Sequence, residues 1–543
     1  MSVTLQERFS RKIANAWLIA LVHFDAFRAK PQAYLTAAKW WIRRKRVRAR
    51  GQFAPLLSRS PRAYTLWALQ HDESERSYSR RDARPPIVAL IYASGESDAR
   101  HLDLTKQNLM AEGLAFLVIG DGQTPALGDA IASIDWTADP WLLPIAAGDR
   151  IAAGAADAYR GAIAGRSARI LYADDDLLVG HRRSKPHFKP DWNSELFQYH
   201  DHLTGSCIVH GTRADLEAVV GKADWPAQLV AAVASGEADG APFHLREMLH
   251  HRRQRLIPQL PARPAVIDRD LPPLSIIVPT RNRVDLLRTC LDGVARADYP
   301  QVHVIVVDND RDDPETLAYL AALDRARHRV LPHAGPFNYS AINNRAAAEA
   351  QGRLLCLLNN DIEMTDPHWL AILATQAMRP DVGAVGAQLL YPDGRIQHAG
   401  VVIGVGNAAG HAHRFLKPDE EGYFHRHRLP QFTMAVTAAC LVVERDKFMA
   451  VGGLNERDFA VAFNDVDLCL RLNQRGWQSL YEPRARLIHH ESVSRGLDQD
   501  PVGAARFAGE LSALKRLWKT DEIFDPFHHP QLSRASEQFA VAL

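Results

Sequence analysis

The chain has 543 residues, of which 47% are hydrophobic and 24% charged, and its formal net charge is +2. This length is typical of two globular units with extensions, and the composition excludes a disordered or fibrous protein. The small net charge gives no reason to expect a polyanionic partner, so we predict no nucleic-acid binding. The five cysteines are scattered without a CxxC pair, which predicts reduced thiols in a cytoplasmic protein.

Residues 1–84 are predicted to form a basic helical segment. Apolar side chains recur in it at helical spacing, and Trp40 and Trp41 precede a basic run at 43–48. Tryptophan beside basic residues suits an anionic membrane surface, but a helical face packed on the rest of the protein would show the same pattern. The apolar run at 13–22 is about half of the roughly 20 residues that span a bilayer. We therefore expect a cytoplasmic protein, with peripheral binding to the inner face of the cell membrane as one of two interpretations.

Two α/β units are predicted after this segment, at 85–257 and 274–500. Both alternate apolar strands with helical stretches. In the second unit, continuous Val, Ile and Leu strands between helices predict a mostly parallel sheet covered on both faces. A proline-rich linker is expected at 258–273, and a C-terminal helix and tail at 501–543.

Three predicted strands of the second unit end in polar residues. The first ends in Pro279-Thr280-Arg281-Asn282, the second in Asp308-Asn309-Asp310, and another in Asn359-Asn360-Asp361. Each group alone could be a turn or a helix cap. Because ligands of open parallel sheets bind at the carboxyl ends of the strands, the three together predict a nucleotide site.

Two further groups of polar residues lie downstream. Asp465 and Asp467 open an amphipathic helix, where capping alone could explain one of them. His489 and His490 end an apolar strand, and histidine is a common metal ligand. Both groups are candidates for the chemistry of the site.

The residues from 274 to 496 resemble family 2 glycosyltransferases, which share the GT-A fold. Within that family the resemblance is strongest to bacterial enzymes of surface-polysaccharide synthesis such as O-antigen or lipopolysaccharide, including rhamnosyl-type transferases and tandem two-domain members. The matching segments occur in the expected order: LSIIVPTRN, VIVVDND, FNYSAINNRAAAEAQG, LLNNDIE, YPDGRIQHAGVVIG, TAACLVVER, VGGLNERDF, FNDVDLCLRL and HHESVSRG.

The resemblance implies an inverting transferase that moves a sugar from a nucleotide-diphosphate sugar to a saccharide or lipid-linked saccharide. Asp465 would be the catalytic base, while Asp361 and His489 would bind Mg²⁺ or Mn²⁺, with His490 the less favoured ligand. Such cations are commonly held by one or two carboxylates plus phosphate oxygens. The implied substrate and nucleotide contacts are Pro279, Thr280, Asn282, Asp308, Asn344, Asn360 and Asp467.

Two positions depart from the family pattern. Asn359 stands at the first position of the DxD motif, so the metal site has one carboxylate fewer and a second protein ligand becomes more important. Ala438 replaces a glycine of the acceptor-side loop, which puts the geometry of that loop in doubt.

The first unit resembles the first domain of tandem members in Tyr172-Ala173-Asp174-Asp175-Asp176 and in 188–193. The strand at 141–145, however, ends in Ala146-Ala147-Gly148-Asp149, where the resemblance requires a carboxylate-rich metal site. We therefore predict a degenerate transferase domain.

Two alternative functions are compatible with parts of this sequence. A nucleotidyltransferase would also combine an α/β sheet with a metal, but the chain lacks a Gly-rich phosphate loop after the strand at 274–278. A saccharide-binding or scaffolding pseudoenzyme is the other alternative, because Asn359 weakens the metal motif.

Overall fold

The computed structural model describes residues 5–71, 85–92, 99–120, 126–180, 182–236, 240–262, 270–309, 312–490 and 501–543. Four helices precede the first sheet: α1 Leu5–Ala29, α2 Pro31–Ile42, α3 Arg46–Ser58 and α4 Ala63–Gln70. The Asp25 carboxylate ties α1 to the start of α4 by accepting hydrogen bonds from Ser60 Oγ at 2.6 Å and Arg62 Nη1 at 2.7 Å. Among the described residues, no helix combines the length and apolarity needed to cross a membrane.

The first sheet contains eight strands: β1 Ile87–Tyr92, β2 Ala115–Ile119, β3 Trp141–Ala146, β4 Arg150–Ile151, β5 Ile170–Val179, β6 Arg182–His187, β7 Cys207–Val209 and β8 Phe243–Arg252. Their order is β2-β1-β3-β7-β5-β8-β4, with β6 paired to β5. The helices around it are α5 Ala99–Ala111, α6 Leu127–Ser133, α7 Ala155–Ile163, α8 Ser194–Phe197, α9 Arg213–Glu217 and α10 Trp225–Ala234. Apolar clusters on both sheet faces form the core of this part.

The second sheet contains ten strands: β9 Leu274–Thr280, β10 Val302–Asn309, β11 His328–His333, β12 Leu354–Leu358, β13 Ile362–Met364, β14 Val382–Leu390, β15 Ile396–His398, β18 Gln431–Thr433, β19 Cys440–Glu444 and β20 Gln478–His489. A separate hairpin joins β16 Val401–Ile403 to β17 Ala409–His411. Four neighbours, β11-β10-β9-β12, are parallel. The sheet continues through β19-β14-β20-β13, where β12–β19, β19–β14 and β20–β13 are antiparallel.

The helices of this part are α11 Val284–Ala295, α12 Pro314–Ala321, α13 Tyr339–Glu349, α14 Trp369–Ala377, α15 Arg445–Ala450, α16 Asn464–Gln474 and α17 Pro501–Trp518. Local sequence explains several of their starts. The Asp313 side chain caps α12 before Pro314, and the Asn338 side chain accepts a hydrogen bond from the Ala341 N–H at the start of α13. Two apolar clusters, one on each sheet face, bury these helices against the strands.

The α/β fold predicted from the sequence is confirmed, and its parallel part is the strand set that carries the predicted polar strand ends. The part after α14 contains more β-strands than the sequence pattern indicated. There, β14 and β20 are long neighbouring parallel strands, paired from Val382 with Gln478 to Leu390 with Ile488. Positions of β20 alternate between buried and half-buried, which is typical of a strand covered unequally on its two faces.

The tail after α17 contacts the helical segment, the first α/β part and the β16–β17 hairpin of the second part. Asp525 Oδ2 accepts a hydrogen bond from the Ile403 N–H at 2.8 Å, and the Asp191 N–H donates to Pro526 O at 2.7 Å. Near the end of the chain, the Val541 N–H donates to Ser58 Oγ at 2.9 Å. The tail therefore lies where the three parts of the protein meet.

Candidate active site

The predicted nucleotide residues lie together at the carboxyl end of the parallel strands. Thr280 of β9 is paired in register with Asp308 of β10, and both are buried. Asn360, which follows β12, donates from Nδ2 to Thr280 Oγ1 at 3.1 Å. The sheet order thus brings three predicted residues from three strand ends into one polar rim, as expected for parallel neighbours.

Pro279 and Asn282 flank this rim. Pro279 lies opposite Val307 in the β9–β10 pairing. Asn282 has a positive φ of 52°, a left-handed conformation that asparagine tolerates better than most residues, and its Nδ2 donates to Asp312 Oδ1 at 2.9 Å. Pro279 therefore lies at the end of β9 and Asn282 in the loop that follows it, on the two sides of Thr280.

The predicted metal ligands are adjacent. Asp361 Oδ1 lies 3.2 Å from His489 Nε2, and both side chains are buried. His489 Nδ1 lies 3.0 Å from Gln397 Oε1, an atom that can only accept. Gln397 therefore favours a ring proton on Nδ1, and Nε2 is the nitrogen that would bind a cation beside Asp361.

Asp361 has the charge and the burial of a cation ligand. Its Oδ1 is buried without a hydrogen-bond partner among the described residues. Burial alone would raise the pKa of Asp361, but hydrogen bonding and charge from His489 outweigh it and hold that pKa below its usual value. An ionised carboxylate beside an imidazole nitrogen fits a divalent metal ion, which would replace the proton between them, and the outer contact from Gln397 is typical of metal-ligating histidines.

His490 is directed elsewhere. Its Nε2 lies 2.9 Å from Glu363 Oε2, so it forms a separate pair on the neighbouring residues of β13 and β20. The structure thereby separates two adjacent histidines that the sequence could not.

Asp465 lies in the first turn of α16 and lines a cavity of about 220 Å³. Its Oδ2 accepts a hydrogen bond from the Ala438 N–H at 3.1 Å, and its Oδ1 accepts one from the Val466 N–H at 2.8 Å. Burial of the carboxyl raises the pKa of Asp465, and the backbone hydrogen bonds only partly oppose that effect. The group is oriented by the backbone and is a stronger base than an ordinary aspartate.

Ala438, which replaces the glycine of the family pattern, holds its loop through backbone contacts. Ala438 donates its N–H to Asp465 and accepts a hydrogen bond from Tyr339 Oη at 2.9 Å through its carbonyl. Its backbone does not adopt a positive φ, so the position does not require glycine. The two backbone contacts that hold this loop are independent of the side chain.

Asp467 and Asn344 are engaged in packing contacts. Asp467 accepts hydrogen bonds from Arg471 Nε and Trp518 Nε1, both at 2.9 Å, which favours its role in organising α16. Asn344 donates to Leu454 O and accepts from the Leu454 N–H, each at 2.8 Å. These contacts connect α16 to α17, and α13 to the loop at Leu454.

Gln397 and His411 were not identified from the sequence as site residues. Gln397 lies within the quoted segment YPDGRIQHAGVVIG, but no local pattern shows that it would meet a histidine 92 positions later. His411 lines the cavity at Asp465, and its Nδ1 lies 2.8 Å from His398 Nδ1. Only the tertiary fold brings these residues to the site.

The corresponding edge of the first sheet is rich in cations. Asp149 accepts a hydrogen bond from the Arg253 N–H at 2.7 Å, and Arg252 lies 3.7 Å from Asp149 and 3.9 Å from Asp175. A Cβ at Gly148 would approach the Arg253 side chain to 2.2 Å, and a Cβ at Gly205 would approach Arg252 to 2.5 Å. The side chains of Arg252 and Arg253 therefore fill the space beside Asp149.

Comparison with known proteins identifies the family of the second part of the chain. Residues 275–436 match the family model described as glycosyl transferase family 2. The chain therefore carries a family 2 glycosyltransferase domain, and that domain contains the strand ends described above.

Two relatives and one solved structure illustrate the similarity. The chain is 37% identical over 413 residues to "O-antigen biosynthesis protein RfbC" of Myxococcus xanthus, covering 67% of this chain and 31% of that protein. It is 27% identical over 245 residues to "N-acetylglucosaminyl-diphospho-decaprenol L-rhamnosyltransferase" of Mycobacterium tuberculosis (strain CDC 1551 / Oshkosh), covering 41% and 78% respectively. The chain thus spans about a third of the length of the first relative. The mannosyltransferase PcManGT of Pyrobaculum calidifontis, solved with GDP-Man and Mn²⁺, superposes with a TM-score of 0.36 at 18% identity, covering 49% of this chain and 70% of that one.

Proposed function

We propose that the protein is an inverting, metal-dependent glycosyltransferase of cell-surface polysaccharide synthesis. It would transfer a hexosyl-type sugar from a nucleotide-diphosphate donor to a hydroxyl of a saccharide or lipid-linked saccharide. The observation that carries the proposal is the pairing of Asp361 with His489 Nε2, together with a separately oriented carboxylate at Asp465. The names of the two relatives support the same class of substrate.

The metal is proposed to be Mg²⁺ or Mn²⁺ held by Asp361 and His489. When bound, such an ion neutralises charge on the donor diphosphate and on the departing nucleoside diphosphate. Because Asn359 is neutral, the chain offers one carboxylate and one imidazole, and the remaining ligands would be phosphate oxygens and water. Gln397 holds the ring of His489 in the tautomer that this requires.

The nucleotide is proposed to lie along the rim formed by Pro279, Thr280, Asn282, Asp308 and Asn360. The Asp308 carboxylate would accept hydrogen bonds from the base. Thr280 and Asn360 already contact each other across β9 and β12, so the rim is fixed before the donor arrives. A fixed rim lowers the entropy cost of orienting the donor.

Asp465 is proposed to remove the proton of the acceptor hydroxyl. Its carboxylate faces the cavity and is held by two backbone N–H groups, while burial raises its pKa. As the proton moves to Asp465, the acceptor oxygen attacks the anomeric carbon and the bond to the diphosphate breaks. A single displacement of this kind inverts the anomeric centre.

The division of labour between the two sheets is also a proposal. Its boundaries are a helical segment at 1–84, a first unit at 85–257, a linker at 258–273, a catalytic unit at 274–500 and a C-terminal helix and tail at 501–543. The first unit is proposed to be degenerate, because Arg252 and Arg253 occupy the space around Asp149. Its retained role would be packing or acceptor positioning.

The helical segment is proposed to bind the cytoplasmic face of an anionic membrane. Trp17, Ile42 and Val47 are 65%, 79% and 63% exposed. The Arg46 guanidinium lies 3.9 Å from the ring centroid of Trp41, and Arg48 lies 4.2 Å from that of Trp40. Exposed apolar side chains beside basic ones suit an interface where lipid tails and anionic headgroups are both available.

The transferase proposal is tested by nucleotide release. Purified full chain with Mn²⁺ or Mg²⁺ is incubated with a panel of nucleotide sugars and saccharide or lipid-linked acceptors, and nucleoside diphosphate is measured. We expect release with one donor, dependent on acceptor and abolished by chelation. Donor binding without release under every condition would instead favour the saccharide-binding or scaffolding alternative.

A further inference from the structure

A second group of metal-ligand side chains lies outside the catalytic rim, between the first sheet and the C-terminal tail. Asp174 comes from β5, His244 from β8 and His529 from the tail, and their ligand atoms all lie within 4.8 Å of one another. Each side chain is 1% exposed. Three ligand-type groups from three segments therefore converge in the interior.

The Asp174 carboxylate faces both imidazoles. Its Oδ1 lies 3.0 Å from His244 Nε2, and its Oδ2 lies 2.9 Å from His529 Nε2. The backbone N–H of Lys189 also donates to Oδ1 at 2.9 Å. The carboxylate is thus fixed in position, with one oxygen directed at each ring.

His244 has the surroundings of a metal-ligating histidine. Its Nδ1 lies 3.1 Å from Asp191 Oδ1, and Asp191 is itself bound by Arg246 Nη2 at 2.5 Å. A carboxylate at Nδ1 places a proton there and leaves Nε2 able to bind a cation. The arrangement of Asp191, His244 and Asp174 parallels that of Gln397, His489 and Asp361 in the catalytic rim.

His529 supplies the second imidazole. Its side chain is buried, and its Nε2 lies 2.9 Å from Asp174 Oδ2, the carboxylate oxygen that His244 does not face. The ring packs against Phe188 with centroids 5.3 Å apart, so it cannot turn toward solvent. Its Nδ1 accepts a hydrogen bond from the Gln531 N–H at 3.0 Å. Ligation through Nε2 would place the ring proton on Nδ1 and exchange this local contact for a metal bond.

We propose that Asp174, His244 and His529 form a second metal site, distinct from the transferase site, that binds a structural Zn²⁺ ion. Two imidazole nitrogens and one carboxylate oxygen are ligands that zinc accepts, whereas Mg²⁺ prefers an all-oxygen set. The fourth position would be taken by the second Asp174 oxygen or by an enclosed water. Because the ligands are buried, the ion would attach the tail to the first sheet and take no part in sugar transfer.

The consequence of this site is mechanical. The same tail is attached to the second part of the protein, where Arg426 Nη1 donates to Phe527 O at 2.9 Å and Asp525 accepts from the Ile403 N–H. An ion at His529 would therefore connect the first sheet to the second part of the protein through the tail.

The test uses the full chain carrying Asp361→Ala and His489→Ala, which removes the catalytic-rim ligands. After chelation, desalting and incubation with Zn²⁺ alone, the metal content is measured following gel filtration. We expect one zinc per chain, lost in a further His529→Asn variant and kept in His528→Asn. His528 is the matched control, because it is a neighbouring buried tail histidine that packs against Phe539.

Thermal unfolding separates loss of a ligand from loss of folding. In the Asp361→Ala, His489→Ala background, Zn²⁺ should raise the Tm of the parent chain and of its His528→Asn variant, but not that of its His529→Asn variant, because a ligand stabilises only the state that binds it. Absence of retained zinc together with an unchanged Tm overturns the site, as does zinc uptake that His529→Asn leaves intact. Neither measurement depends on transferase activity, so the outcome is independent of the proposed function.

Discussion

Ile362 of β13 lies opposite His489 of β20 in an antiparallel pair. This register places His489 beside Asp361, the residue that precedes β13, although the two are far apart in sequence. The candidate metal site is therefore set by strand pairing, and a one-residue shift in that register would bring His490 to the metal instead.

Substitution of the two histidines should have different effects. His489→Ala should abolish metal-dependent nucleotide release, because it removes the imidazole that faces Asp361. His490→Ala should retain most activity, because His490 pairs with Glu363. Metal titrations of both variants provide the measurement. Equal losses would argue against His489 as the specific ligand.

Gln397→Ala should weaken metal affinity about 10–100-fold, the range typical of outer contacts to a ligating histidine. The physical reason is that Gln397 Oε1 fixes the proton on His489 Nδ1. Activity should therefore return at higher Mn²⁺ concentration, whereas Asp361→Ala should not be rescued in this way. A Gln397→Ala variant with unchanged metal dependence would contradict the assignment.

Asp465→Asn should abolish transfer while leaving donor binding intact. The pH dependence of kcat/KM should show the same group. Burial raises the pKa of Asp465, and the base acts only when ionised, so activity should fall on acidification at a pH above the ordinary aspartate value of about 3.9. Activity that persists in Asp465→Asn would exclude this residue as the base.

Asp467→Asn should mainly destabilise the fold. Asp467 is 2% exposed and accepts hydrogen bonds from Arg471 and Trp518, and losing a hydrogen bond to a charged group costs about 1.5–3 kcal/mol. We expect a lower free energy of unfolding by denaturant titration, with measurable transfer in the fraction that remains folded. Full stability with complete loss of transfer would instead indicate direct contact with a substrate.

Membrane association should depend on the basic run after α2. Arg43→Gln with Arg44→Gln removes two exposed charges, each worth about 1 kcal/mol at an anionic surface, so binding to phosphatidylserine vesicles should weaken up to about 30-fold. The double change Arg325→Gln with Arg327→Gln removes the same charge from an exposed site elsewhere and is the control. Equal effects of both pairs in a flotation assay would refute a specific membrane face.

The strand ends were the predictable part of the site. Asp308 and Asp361 follow runs of Val, Ile and Leu whose pattern alone identifies parallel strands, and parallel strands end at a common edge. Gln397 was not predictable, because it meets His489 only through the pairing of β15 with β14 and of β14 with β20. The long pairing of β14 with β20 was also not predicted, because the two strands are distant in sequence.

The contacts of the tail were also not predictable from the sequence. His529 follows the predicted amphipathic helix at a position with no periodic pattern, and its partner Asp174 lies in a different unit. The sequence around Asp174 resembles that of tandem transferases. Nothing in that sequence indicated that His529, near the end of the chain, would cover the Asp174 carboxylate.

The position of the tail has a consequence for biosynthesis. Asp174 emerges from the ribosome hundreds of residues before His529, the group that faces its second carboxylate oxygen. Until then, the early half of the polypeptide carries a charged interior group that lacks one of its partners. We therefore expect nascent chains stalled before residue 529 to hold the first sheet in a looser state, and release of the final segment to complete the docking of both halves.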